Sequence, residues 1–161
     1  MTTSTERRKT PDDLGGIVDG QPQKPKVLVT DDDDNILELI GNIIRSWGYE
    51  VVTLKRKMEA LEKLEEINPD VVTTDLESPE LDGFAFIYSV KGLNPLIPVI
   101  VLSGNLDARY DTDGELARKA FRLGAFACLP KPCHTSAIQS AIERALKKRR
   151  SHGGNQANPV G

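Results

Sequence analysis

The 161 residues carry 39% hydrophobic, 28% charged and only 5% aromatic side chains, a length and balance that call for one globular domain. No run approaches the roughly 18 consecutive apolar residues of a membrane span, and the start, MTTSTERRKTPDD, lacks the apolar stretch of a secretory signal; a soluble cytoplasmic protein is expected. The formal charge of -3 hides an asymmetry: residues 27–142 hold 11 basic and 19 acidic groups, a net of -8, whereas residues 143–161 hold five basic groups and one acidic, so neither nucleic acid nor membrane is an expected partner of the body.

Residues 1–25 are rich in Thr, Asp, Gly, Pro and Gln without a sustained apolar period, and residues 151–161 read the same way, which predicts flexible tails around a folded unit at 26–150. Within that unit short β-branched runs alternate with amphipathic stretches. Val27 to Thr30 predicts a first buried strand, and Ile36, Leu37, Leu39, Ile40, Ile43, Ile44 and Trp47 a first helix that Gly48 can end. Val51 to Leu54 predicts a second strand, and Met58, Leu61, Leu64 and Ile67 a second helix stopped by Asn68 and Pro69. Val71 to Thr74 predicts a third strand, followed by a helix bearing Phe84, Ile87 and Val90. Val99 to Leu102 predicts a fourth strand, with Leu116, Ala117, Ala120, Phe121 and Leu123 on a helix capped by Gly124. Phe126 to Leu129 and the stripe Ile138, Ala141, Ile142, Ala145, Leu146 complete the series.

Five such units call for a doubly wound α/β domain with a five-stranded parallel sheet, because right-handed crossovers leave few other arrangements. Trp47, Met58 and the Phe residues read as core. Cys128 and Cys133 lie five apart with no Cys or His set at zinc spacing, so buried reduced thiols are expected.

Ligands of open α/β sheets bind outside the carboxyl ends of the strands. After the first strand come Asp31, Asp32, Asp33 and Asp34; after the third, Asp75; after the fourth, Ser103; after the fifth, Lys131 and Pro132. The second strand ends in Leu54, Lys55 and Arg56, with nothing comparable. Asp33, Asp34 and Asn35 fit the cap and first turn of the first helix better than metal ligation. Like charges about 4 Å apart repel by roughly 4 kcal/mol at an effective dielectric near 20. The remaining carboxylates therefore need a cation, Mg²⁺ most plausibly, or a raised pKa.

At these residues the chain resembles the receiver domain of two-component response regulators, including the single-domain chemotaxis type, through VLVTDDDDNI, PDVVTTDLESPELDGF, PVIVLSG and GAFACLPKP, over about residues 26–148. The resemblance implies the flavodoxin-like (βα)5 fold. It makes Asp75 the phosphoacceptor for a histidine kinase or phosphotransfer protein, with Mg²⁺ held by Asp31, Asp32, Asp75 and the backbone carbonyl of Glu77. It gives Ser103 the hydroxyl that meets a phosphate oxygen and Lys131 the ammonium that pairs with the phosphoryl group, and it implies a cis bond between Lys131 and Pro132. The implied protein is no enzyme in the ordinary sense, only a switch that catalyses its own phosphoryl uptake and loss. The 13 residues after Lys148 leave no room for an output module, so a stand-alone receiver signalling through a downstream protein is expected.

Three positions depart from the family pattern. Cys128 stands where receivers commonly have an aromatic switch residue. The span from Ser103 to Gly124 is about half a dozen residues longer than in typical receivers, with NLDARYDTDGE as the extra material; this 104–114 insertion reads either as a neutral surface elaboration or as a reshaped partner surface. Glu77 places an acid two residues after Asp75, where it could repel phosphoryl oxygens or orient a water. The competing expectations are a pseudo-receiver that binds partners without phosphorylation, kept open by Cys128, and a haloacid dehalogenase-type phosphohydrolase, which Asn35 and the lack of room for a cap domain disfavour.

Overall fold

The computed structural model describes residues 17–18, 21–107, 109 and 111–157, with side chains over 23–107, 109 and 111–151. Five strands, β1 (Lys26–Thr30), β2 (Glu50–Leu54), β3 (Val71–Thr74), β4 (Val99–Ser103) and β5 (Ala127–Pro130), form an all-parallel sheet in the order β2-β1-β3-β4-β5. Among the described residues six α-helical segments connect and cover them: α1 (Asp34–Ser46), α2 (Lys57–Glu62), α3 (Leu64–Ile67), α4 (Gly83–Leu93), α5 (Glu115–Arg122) and α6 (Thr135–Ala157). This is the expected doubly wound architecture.

The period of two along each strand splits the core into two layers. Val27, Val29, Val71, Ile100 and Leu102 pack with Leu37 and Ile44 of α1 and Ile138, Ala141 and Ile142 of α6. Leu28, Val72, Val99 and Val101 turn to the opposite face, against Ala60, Leu64, Phe86, Val90 and Ala120. With β3 and β4 buried at every position, the sheet centre is rigidly held and only the strand ends are open for chemistry.

The helix boundaries follow the local signals. Asp33 caps α1, accepting from the amides of Asn35 and Ile36, and Asp82 caps α4 by accepting from Phe84. Gly48, Asn68 and Gly124 take positive φ where the chain must leave a helix.

Several expectations are corrected. The helix predicted over 58–67 begins at Lys57 and breaks at Lys63, whose φ of -102° and ψ of 6° lie in the bridge region between α2 and α3. Met58 and Phe121 are 38% and 50% exposed rather than core. The reason is angular: Lys57 and Ala60 on α2 and Ala120 on α5 hold the buried positions, and the next residue lies about 100° round the helix. Cys128 and Cys133 are free but half-buried. α6 continues to Ala157, beyond the boundary expected at 150. Of the predicted N-terminal tail, residues 1–16 and 19–20 lie outside the described residues, while Ile17–Val18 pairs antiparallel with Gln21–Pro22.

The 104–114 insertion is built into the domain. Gly104–Leu106 forms a 3-10 turn, and Leu106 packs on the core layer that contains Val101. Asp111 is buried and its two carboxylate oxygens accept from the amides of Leu116 and Ala117 at 3.0 and 3.3 Å. Gly114, which precedes α5, has no side chain to cap it, so Asp111 performs that task from within the insertion. The described part of this segment is thus tied to the domain through Leu106 and Asp111.

Candidate functional site

The order β2-β1-β3 reverses the winding at β1, and the crevice at a switch point opens beyond the carboxyl ends of the flanking strands. Asp31 follows β1 directly and Asp75 follows β3, and they are 5% and 2% exposed. Asp31, Asp32 and Asp75 each offer a carboxylate oxygen within 4.8 Å of the others. Three hard oxygen donors at that spacing suit a divalent cation of the Mg²⁺ class.

Ser103 ends β4 and is fully buried. Its hydroxyl donates to Glu77 Oε2 at 2.5 Å and accepts from the Asn105 amide at 3.1 Å. Pro130, the register partner of Ser103 on β5, has no N–H. The Ser103 carbonyl instead accepts from the Lys131 amide, one residue further on, at 3.0 Å. Lys131 Nζ then reaches across to Asp31 Oδ2 at 2.8 Å, and the Lys131–Pro132 bond is cis.

Gly83 closes the pocket floor. Its amide donates to the Leu76 carbonyl at 3.0 Å, and a Cβ there would come within 2.5 Å of Leu76 Cα and 2.6 Å of the Asp75 carbonyl oxygen. Only glycine lets the first turn of α4 lie this close to the segment carrying Asp75.

One member of the site escaped the sequence reading. Lys57, the first residue of α2, is 1% exposed and donates from Nζ to Asp75 Oδ1 at 2.5 Å and to the Glu77 carbonyl at 3.2 Å. The signal was present in the spacing: Lys57 lies three and seven residues before Ala60 and Leu64, which are 0% and 3% exposed, so helical periodicity places it on the buried face. The helix after the second strand thus contributes a cation, one residue beyond Arg56.

Burial pushes the Asp75 carboxyl up from the ordinary 3.8 to about 6; the Lys57 hydrogen bond and charge pull it down, Asp31 pushes it up and Lys131 pulls it down. At Cys128 burial, then the nearby Asp111 carboxylate, raise the thiol to about 11, which keeps it protonated and poorly nucleophilic. Cys128 packs on the core layer that also takes up Leu106. The position expected to hold an aromatic is thus filled by a small side chain beside the insertion.

An acidic pocket of this composition at the switch point of a five-stranded doubly wound sheet defines a phosphoacceptor type of domain. The chain belongs to the response regulator receiver domain family, whose model matches residues 27–143. It is 33% identical over 120 residues to the transcriptional regulatory protein ZraR of Escherichia coli K12, covering 74% of this chain and 26% of that protein. It is 31% identical over 137 residues to the DNA-binding transcriptional regulator NtrC of the same organism, covering 85% and 27%. The chain therefore spans about a quarter of the length of these curated relatives. Among solved structures, a response regulator receiver domain protein of Clostridium thermocellum matches with a TM-score of 0.69 and 32% identity over 78% of this chain and 97% of that one. Membership in this family removes the haloacid dehalogenase-type alternative. No described helix is long and apolar enough to cross a membrane.

Proposed function

We propose that residues 26–150 act as a phosphorylation switch in which Asp75 accepts a phosphoryl group from a histidine kinase or phosphotransfer protein of the cytoplasm. The convergence of Asp31, Asp32 and Asp75 oxygens within 4.8 Å of one another, faced by Lys131 and Ser103, carries this reading. Asp31, Asp32, Asp75 and the Glu77 carbonyl would hold Mg²⁺, which when bound supplies positive charge against the phosphoryl oxygens.

The chain's own groups divide the remaining work. An Asp75 carboxylate oxygen attacks phosphorus in line, the bond to the donor histidine nitrogen breaks, and that nitrogen leaves with the electron pair. Lys131 Nζ transfers its pairing from Asp31 to the new phosphoryl oxygens. Ser103 Oγ turns its proton from Glu77 Oε2 to a phosphoryl oxygen, which couples β4 to the phosphorylated state. Attack by water on the acyl phosphate returns Asp75 and inorganic phosphate.

The output in this reading is a contact with a downstream protein. The acidic body, with its net of -8 over residues 27–142, suits such a contact better than nucleic acid. Incubation with a small phosphodonor and Mg²⁺, followed by intact mass, tests the switch: a phosphate adduct absent from Asp75→Asn is expected. The pseudo-receiver is favoured by one observation, the Lys57 ammonium already paired with Asp75, and a chain that takes up no phosphate under these conditions establishes it in place of the switch.

A further inference from the structure

Lys57 is placed by its helix. Its stem runs along the face that buries Ala60 and Leu64, and its ammonium emerges where β3 ends, 1% exposed, against Asp75 Oδ1 and the Glu77 carbonyl oxygen. Both belong to groups that the function proposed above assigns to a divalent cation, the Asp75 carboxylate and the Glu77 carbonyl. An ammonium hydrogen-bonded to both oxygens takes the space between them that a metal would occupy, and two cations placed there repel each other strongly. The structure also shows why the ammonium stays: removing it would leave three clustered carboxylates with Lys131 as the cation paired to Asp31.

We propose that Lys57 is a resident counter-cation of the phosphoacceptor, holding the metal position so that Mg²⁺ enters only when the Lys57 ammonium withdraws. This rests on the reading of Asp75 as a Mg²⁺-assisted phosphoacceptor and adds a gate to it. Affinity for a ligand falls by the fraction of molecules in the competent state, so a withdrawn population of one in ten weakens Mg²⁺ binding about tenfold. The domain then takes up phosphate only above a threshold of free Mg²⁺, set by how firmly α2 keeps its first residue inside.

Two measurements on the full chain test this. In isothermal titration with Mg²⁺, Lys57→Met, which keeps the apolar stem, is expected to bind about tenfold more tightly than the parent. Lys55→Met makes the same change of net charge at an exposed residue paired with Asp34 and is expected to stay within about twofold of the parent, since exposed charges are screened. In the parent itself, an amine-reactive ester with peptide mapping is expected to leave Lys57 unmodified without Mg²⁺ and to modify it at saturating Mg²⁺, with Lys55 modified equally in both. Equal Mg²⁺ affinity in parent and Lys57→Met, a Lys57 that stays unreactive in the Mg²⁺-loaded parent, or no Mg²⁺ binding by either protein each overturns the gate. The phosphate adduct on Asp75 reports separately on the switch: an adduct with unchanged Mg²⁺ affinity in Lys57→Met sinks the gate alone, and a tighter Mg²⁺ site with no adduct in any variant sinks the switch alone.

Discussion

Replacing Asp75 by Asn is expected to stabilise the folded protein in the absence of divalent cations. The neutral amide fits the same space, and its carbonyl oxygen can still accept from Lys57 Nζ, which meets Asp75 Oδ1 at 2.5 Å. What it removes is the ionised carboxylate, whose pKa stands at about 6 in the fold against an ordinary 3.8. A carboxyl with a raised folded pKa destabilises the native state above that pKa, because the native form holds its proton more tightly than the unfolded chain does. At 1.36 kcal/mol per unit the shift amounts to about 3 kcal/mol near pH 8, falls to about half that near pH 5, and vanishes below the unfolded value of 3.8. The gain of Asp75→Asn over the parent should follow that curve, with the facing groups Lys57, Asp31 and Lys131 unchanged. Urea unfolding of both proteins in EDTA, at a series of pH values between about 4 and 8, measures it. An Asn variant no more stable than the parent near pH 8, or a difference that does not shrink on acidification, refutes the reasoning.

Other consequences follow from the same contacts. Glu77→Ala removes the acceptor of the Ser103 hydroxyl and a carboxylate beside the acceptor site; phosphorylation by a small donor should quicken about tenfold, the equivalent of 1.4 kcal/mol, as read from the rate of adduct formation. Gly83→Ala drives a methyl into backbone atoms at 2.5 and 2.6 Å and should cost about 1 to 3 kcal/mol in chemical denaturation. Asp111→Ala uncaps α5 and should cost about 1 kcal/mol. The same change removes one of the two causes that raise the Cys128 thiol, so Cys128 should react faster with an aromatic disulfide reagent.

The parts of the site that the sequence displayed are those attached to strand ends. Asp31, Asp75 and Ser103 each stand at or just after a buried β-branched run and Lys131 just after β5, and a parallel sheet brings all such ends to one crevice. Lys57 was hidden because it belongs to a helix: its position is fixed by a period of 3.6 rather than by the end of β2, and a lysine counts as polar in any apolar stripe. Met58 and Phe121 were misplaced for the complementary reason, since a stripe defines a face but not which residue at its margin is covered. Asp111 was invisible because it caps α5 from four residues before its first residue, Glu115, reaching past Gly114, a distance that no capping pattern anticipates. The break at Lys63 left no mark in the apolar spacing, which runs unbroken from Leu61 to Leu64.

The missing N–H of Pro130 has a mechanical outcome. Because the Ser103 carbonyl takes its bond from the Lys131 amide, the hydroxyl-bearing and ammonium-bearing residues are splinted together through backbone, and neither can shift along the sheet without the other. That single amide proton becomes a built-in reporter. Its exchange with deuterated solvent requires the splint to open, so its exchange rate reads how often the two arms of the site come apart.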